Sequence, residues 1–380
     1  MKEGWTYKKI KEVGEVIGGT TPSTSNPAFW GGDLCWISPA ELHGEHYLYD
    51  SVKKITKEAV ASKSLKQLPS GTVILSSRAP IGKVAINKVP MYCNQGFKCV
   101  VCGQDLFNEY LYWWLYGKKE YLNSLGTGAT FPEISKTVVE NIVIPLPPLS
   151  EQQQIVSYLD SSFAHIDELK ANAEKQLNDA KALFQKALEK AMKPKEGWEE
   201  KKLKEICRVI NGRAYSKDEM LQSGKYRLLR VGNFFTNDSW YYSDLELEED
   251  KYCDKGDLLY AWSASFGPRI WNGEKVIYHY HIWKMVCSAL VNKYFLCYWL
   301  DSDNLKRQTM TNLHGTTMAH ITKGIIENAN VVFPSLSEQQ QIVSRLDNLS
   351  ANIKALEENL EKTISECDAL KQALLREVFE

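Results

Sequence analysis

The 380-residue chain has no apolar run approaching the roughly 18 residues a membrane span needs, and its opening, MKEGWTYKKIKEVGEV, lacks the character of a signal peptide. No GxxxxGK(S/T) loop is present to cradle a nucleotide phosphate, so the sequence offers no ATP- or GTP-binding signature. Nine cysteines, an odd number without framework spacing, read as reduced thiols rather than a disulfide scaffold. The net charge is only −1, so no strong overall field marks a polyanion partner. These absences leave a cytoplasmic globular protein of two or three domains.

Glycine and proline are also missing from two long stretches, and these organise the chain. Ser150–Met192 contains neither, which allows one helix of roughly 65 Å. Its opening, Leu149-Ser-Glu-Gln-Gln-Gln-Ile-Val156, recurs 187 positions later as Leu336-Ser-Glu-Gln-Gln-Gln-Ile-Val343, and the second run continues to Glu380. A period of that length is a duplicated domain-plus-helix unit rather than a solenoid repeat. The expected domains are 1–149, a helix over 150–193, a second module over 194–336 and a second helix over 337–380. Ser150 with Gln153, and Ser337 with Gln340, predict capping boxes at the helix starts. Outside the helices the charge is about +4 by subtraction (−1 for 150–193, −4 for 337–380), which permits a basic groove.

The modules align in order. Lys2-Glu3-Gly4-Trp5 matches Lys195-Glu196-Gly197-Trp198, and the frame Gly71…Gly82 matches Gly256…Gly267. Both framed segments read as strand–loop–strand, with different chemistry between shared glycines. A helix is expected over 108–121 and again over 292–307. Pro145, Pro147, Pro148 and Pro334 are expected to break the last strand of each module. In the long helices a 3–4 apolar alternation predicts a coiled-coil seam. It comprises Leu159, Ile166, Leu169, Ala173, Ala180 and Leu183 in the first helix, and Leu346, Leu349, Ile353, Leu356, Leu360, Leu370 and Leu374 in the second. Phe163, Leu177, Phe184 and Ala191 add apolar surface beyond that seam, available to the helix's own module or to another subunit.

Catalytic signals do not rise above their bland readings. Asn26-Pro-Ala-Phe29 is similar to the Asn/Asp-Pro-Pro-aromatic motif of amino-methyltransferases, but a turn before Trp30 explains it without a glycine-rich nucleotide loop. Cys99 and Cys102 sit in an apolar strand run, and His279 and His281 have no third ligand, so core and packing roles are preferred to zinc.

The two-copy layout, the paired Pro-…-Leu-Ser-Glu-Gln-Gln-Gln-Ile-Val entries, the Gly-Trp module starts and the run Gly18–Ser23 together resemble the specificity subunits of type I restriction–modification enzymes. The resemblance implies an α+β fold in which two similar mixed α/β target recognition domains are separated by two long helices forming an antiparallel coiled coil with pseudo-twofold symmetry. It also implies a non-catalytic reader of double-stranded DNA with a split recognition site. Two methyltransferase subunits, using S-adenosylmethionine, and restriction/translocase subunits, using ATP and Mg, are the implied partners; no cofactor is expected on this chain. The residues favoured for DNA contact are Thr21, Ser23, Arg78 and Lys83 in module one, and Arg213, Tyr215, Arg230 and Asn233 in module two. Thr130, Lys136, Thr317 and Lys323 are second-tier phosphate candidates. A coiled-coil scaffold binding only proteins is the competing reading, and a methyltransferase acting on its own is the third.

Overall fold

The computed structural model describes residues 4–78, 80–128, 132–263, 265–310 and 321–380, without the side chains of 309 and 310. Contacts divide the chain into one unit of Met1–Ala173 with Lys362–Glu380 and a second of Glu174–Glu361. The division falls midway along each long helix, so each half-helix belongs to the unit it packs against.

In the first unit, Thr6–Lys9 pairs antiparallel with Val143–Leu146. Pro145 lies inside that strand, tolerated because a two-stranded ribbon leaves one edge of each strand unpaired. A five-stranded sheet follows in the order Gly14–Gly18, Phe97–Cys102, Val73–Ser76, Val84–Asn87, Tyr47–Leu48, antiparallel except for the last pair. Strand side chains alternate between faces. Val73, Leu75, Val84 and Ile86 therefore enter one core, while Ile74, Ala85 and Cys99 enter another. The first core is shared with the helix Asn108–Gly117 and the long helices. The second holds Ile37 and Cys93 of a three-stranded sheet, Lys53–Ile55, Trp30–Ile37 and Tyr92–Cys93.

The second unit repeats the plan. Glu199–Lys202 pairs with Asn330–Phe333, and a four-stranded sheet runs Cys207–Asn211, Ile282–Cys287, Leu258–Ser263, Ser265–Ile270. Leu258 and Tyr260 point to one core, Leu259 and Ala261 to the other. A second four-stranded sheet is ordered Tyr241–Ser243, Tyr226–Leu229, Val276–Tyr278, Tyr252–Cys253. The glycine-framed segments are antiparallel hairpins in both copies, as the aligned glycines predicted. Gly82 and Gly267, at φ 89° and 146°, occupy the backbone region that favours glycine.

The helix expected over 108–121 is two helices, Asn108–Gly117 and Lys119–Ser124. At Gly117 an added Cβ would lie 3.2 Å from Leu375 Cβ, so glycine permits the close approach of the C-terminal helix. The expected 292–307 helix divides likewise into Lys293–Asp301 and Asp303–Met310. Here buried Ser302 is extended and its hydroxyl donates to the Trp299 carbonyl at 2.7 Å.

The long helices are unbroken, Leu149–Ala191 and Leu336–Phe379. Their starts differ from the expected capping boxes. The Pro148 carbonyl accepts from the Glu151 and Gln152 amides at 2.9 and 3.0 Å, whereas in the second helix the Ser335 hydroxyl accepts from Glu338 N–H at 3.4 Å. The middle of the repeated motif is instead a buried clamp. Gln152 Nε2 donates to the Pro147 and Asp105 carbonyls (2.8 and 2.9 Å), and its Oε1 accepts from Phe107 N–H (2.8 Å). Gln339 repeats this with Pro334, Leu290 and Asn292 (2.8, 3.2 and 2.7 Å). A side-chain amide carries both donors and an acceptor, so one glutamine satisfies three backbone groups.

The helices pack antiparallel. In the first unit Lys170 Nζ reaches both Asp368 oxygens at 2.7 and 2.8 Å, while Lys371 bonds Asp167 and lies 5.0 Å from the Phe163 ring centroid. In the second unit Leu188 and Met192 share a core with Ile342, Val343 and Leu346. The seam is rotated from the one expected. Leu159, Ile166, Ala173, Ala180, Leu346, Ile353 and Leu360 are buried and Leu349 and Leu374 half-buried, but Leu169, Leu183, Leu356 and Leu370 are 58%, 55%, 42% and 48% exposed. Their places are taken by residues one position later, Lys170, Phe184, Glu357 and Lys371. The cause is the further contact each helix makes with the modules, which for the second helix includes Phe379 on Tyr110 (5.5 Å) and for the first includes a ring on each module. Phe163 packs on Trp113 (4.5 Å) and Phe184 on Tyr298 (6.3 Å), turning that stripe inward and the leucines outward.

Replacing Gln152 with Met, which keeps bulk but removes all three bonds, should destabilise the first unit by about 2–3 kcal/mol. Chemical denaturation checks this; an unchanged midpoint would show the clamp to be dispensable.

Candidate nucleic-acid interface

In module one the hairpin loop after Ser76 is tied down by its backbone: Ser77 N–H donates to Gly96 and Ser77 O accepts from Ile134. Arg78 forms a backbone bridge with Glu133, and its guanidinium stands 3.8 Å from that carboxylate. The same carboxylate holds Lys98 Nζ at 3.1 Å, which also donates to Ser77 Oγ (3.1 Å) and the Gln95 carbonyl (3.2 Å). Gln95 Oε1 in turn accepts the Thr21 hydroxyl. Thr21 and Arg78, far apart in sequence, thus belong to one polar network. Ser23 adjoins it, its carbonyl accepting Trp30 Nε1–H at 3.1 Å.

Lys83 is differently placed. Its ammonium donates to the Leu42 carbonyl and, at 3.4 Å, to that of Pro39, so it is committed to a neighbouring loop. Lys136 and Lys323 pair within their own short helices with Glu140 and Glu327, both at 3.6 Å. Thr130 and Thr317 lie outside the described residues.

Module two builds its face from arginines on aromatic rings. The Arg213 guanidinium makes two bonds to Glu219 (3.0 and 2.7 Å) and lies over Tyr215 at 5.0 Å. Tyr215 is only 9% exposed, so its ring supports the arginine rather than presenting itself. Arg230 is exposed and lies over Tyr241 (5.2 Å); Arg269 lies over Phe234 and Phe235 (5.5 and 5.6 Å). Such stacking orients a cation while leaving its hydrogen-bond donors available. Asn233 instead shapes a turn, donating to the carbonyls of Asn237 and Ser239 at 2.9 and 2.7 Å.

At the hairpin Trp262 pairs with exposed Phe266, and Trp262 Nε1 donates to the carbonyl of exposed Tyr280 at 2.8 Å. His279 is held down to a pKa of about 4, first by burial and then by the charges of His281 and Arg230. At neutral pH His279 therefore adds no positive charge to this face. No group of three potential metal ligands occurs among the described residues, and Cys99 lies in the core beside Cys93 with sulfurs 3.7 Å apart. Asn26 caps the turn Pro27–Phe29 through Ala28 N–H at 3.1 Å, the turn expected there. Sequence reasoning passed over Gln95, Lys98, Glu133, Trp262, Phe266 and Arg269. A lone lysine in the apolar run 97–101 and an aromatic pair between shared glycines were the available signals.

The Glu219 carboxyl is held at about 2, chiefly by the Arg213 hydrogen bonds. A depressed carboxyl stabilises the fold above its ordinary range near 4.5, and that contribution is lost as pH falls toward 2. Carboxyl NMR should place Glu219 near 2 and, in Arg213→Ala, higher, with the Ser216 N–H bond still holding it below the ordinary range. A Glu219 pKa unmoved by the substitution would refute the pairing.

The family model for the type I restriction modification DNA specificity domain matches residues 2–179 and 195–366. The chain is 31% identical to the type I restriction enzyme MjaIX specificity subunit of Methanocaldococcus jannaschii, over 99% of this chain and 92% of that one. It is 26% identical to the EcoKI specificity subunit of Escherichia coli K12, over 100% and 89%. Among solved structures, a chain described under complex assembly and conformational transition of the type I R-M system aligns with a TM-score of 0.81 at 21% identity, covering 100% and 98%. The HsdS subunit from Thermoanaerobacter tengcongensis aligns at 0.67 with 21% identity, covering 100% and 97%. With two matched domains spanning most of its length and a relative of like length, the chain belongs to the specificity subunits of type I restriction–modification enzymes.

Proposed function

We propose that this chain is the non-catalytic DNA reader of such an enzyme, with each module recognising one half of a split target. Module one reads through the Thr21–Gln95–Arg78 network, and module two through Arg230, Arg269 and the Trp262–Phe266 hairpin. The single observation that carries this reading is one hairpin frame with two different tips: charged and polar in the first copy, aromatic in the second. A shared scaffold with exchanged tips suits two readers of different sequence.

The long helices would fix the separation of the half-sites. Two weak readers on one stiff connector make the second binding event intramolecular, at high effective concentration only when the DNA gap matches. The exposed Leu169, Leu183, Leu356 and Leu370 offer apolar surface for the two methyltransferase subunits. In this reading those subunits supply S-adenosylmethionine chemistry, restriction/translocase subunits add ATP- and Mg-dependent work, and the assembly acts in the cytoplasm. No helix among the described residues is long and apolar enough to cross a membrane.

Mapping methylated adenines in cells carrying the whole system should give a motif of two defined parts around an undefined middle. Arg78→Ala should relax one part only, at a cost of about 1–3 kcal/mol in that half. A contiguous motif, or an Arg78 effect on both halves or neither, would overturn the assignment.

A further inference from the structure

Module one contains a cleft of about 930 Å³ that no base-reading role explains. It lies where the hairpin turn Gly82–Lys83, the helix end Tyr116–Lys119 and the last turns of the second long helix meet. Its fixed charges are Lys83, Lys118, Lys119 and Arg376 against Glu120 and Glu380, four cations to two carboxylates. One carboxylate is already neutralised, since Lys118 bonds Glu380 at 2.6 Å and holds its pKa down. Lys119 and Arg376 have no acidic partner within ion-pair distance among the described residues.

The duplication supplies an internal control. Trp113 Nε1 donates to Asp160 at 2.8 Å and Tyr298 OH donates to Asp347 at 2.7 Å, which fixes how the two copies correspond. On that correspondence Lys118 matches Asp303, Arg376 matches Glu189, Glu380 matches Lys193 and Tyr116 matches Asp301. The charge is inverted at three positions and, with Lys306 where module one has Tyr121, the same place in module two carries three acids and two lysines. Burial there raises the Asp301 carboxyl against the opposing charge of Lys306, with a smaller contribution from Glu189. A protein subunit docking alike on both copies would meet opposite fields at these two places. The cleft therefore suits an anionic ligand held by module one alone. Its rim decides which one: Gly82 and Lys83 of the cleft belong to the same hairpin turn as Arg78 of the candidate DNA face.

We propose that this cleft is a DNA-backbone site flanking the half-target of module one, with Lys119 and Arg376 as its phosphate contacts, and that module two has no counterpart. The inference rests on the DNA-reading assignment above. The two modules then hold DNA unequally: one adds a salt-sensitive grip independent of sequence, the other relies on its tip.

The test uses the assembled complex of this chain with its methyltransferase subunits, comparing wild type with the double variant Lys119→Gln, Arg376→Gln. Affinity is measured across a salt series on a target duplex and on an unrelated duplex. Each lost phosphate contact removes about 0.9 from the slope of log affinity against log salt. The variant should be shallower by about 1–2 on both duplexes, with its ratio of target to unrelated binding unchanged. An unchanged slope on both would overturn the cleft assignment. So would failure of the variant, folded as wild type by circular dichroism, to assemble with the methyltransferase subunits, which would assign the cleft to a protein ligand. The DNA-reading assignment is judged separately by wild type alone: equal affinity for both duplexes would refute it, while the slope comparison would still report on the cleft.

Discussion

Antiparallel packing of the two long helices is the constraint on which the rest depends. Neither helix is apolar enough all round to be buried alone, and each is divided between two jobs. One stripe meets the other helix and a neighbouring stripe meets a module, as Phe163 meets Trp113 and Phe184 meets Tyr298. Reciprocal lysine–aspartate pairs, Lys170 with Asp368 and Lys371 with Asp167, set the register inside the first unit. Because the second helix completes the first unit, module one is finished only by the last residues of the chain, with Leu375 and Phe379 in its core.

On that frame the copies share what positions them and differ in what they present. The buried glutamines, the aromatic donors to Asp160 and Asp347, and the glycine-bounded hairpins are the same devices used twice. The tips are not. Module one ends in a network joined through Gln95, Lys98 and Glu133, module two in arginines laid across rings. The basic cleft extends that division, since the matching positions in module two carry more acids than lysines.

Much of the scaffold was legible in the sequence because it rests on backbone rules. Repeated glycines marked the hairpins, and stretches free of glycine and proline marked the helices. Register was harder. Leu169, Leu183, Leu356 and Leu370 satisfy a coiled-coil pattern, yet a helix that must also pack on the modules turns them outward. The capping pattern involves Gln153 and Gln340 and says nothing of Gln152 and Gln339, which are fully buried, because the backbone groups they satisfy lie in distant loops. The candidate contacts split for the same reason. Arg78 and Arg230 stand at the surface, whereas Lys83, Asn233 and Tyr215 are occupied by carbonyls or packing that only the folded chain supplies.

The central proposal is that helix length sets the distance between two independent readers. The most direct measurement inserts one heptad into each long helix, where the two units divide, and maps the adenine methylation of the resulting enzyme. At 1.5 Å per residue and 3.4 Å per base pair, the undefined middle of the motif should lengthen by about three base pairs while both defined parts stay the same. A motif whose gap is unchanged, or whose defined parts change instead, would contradict the account.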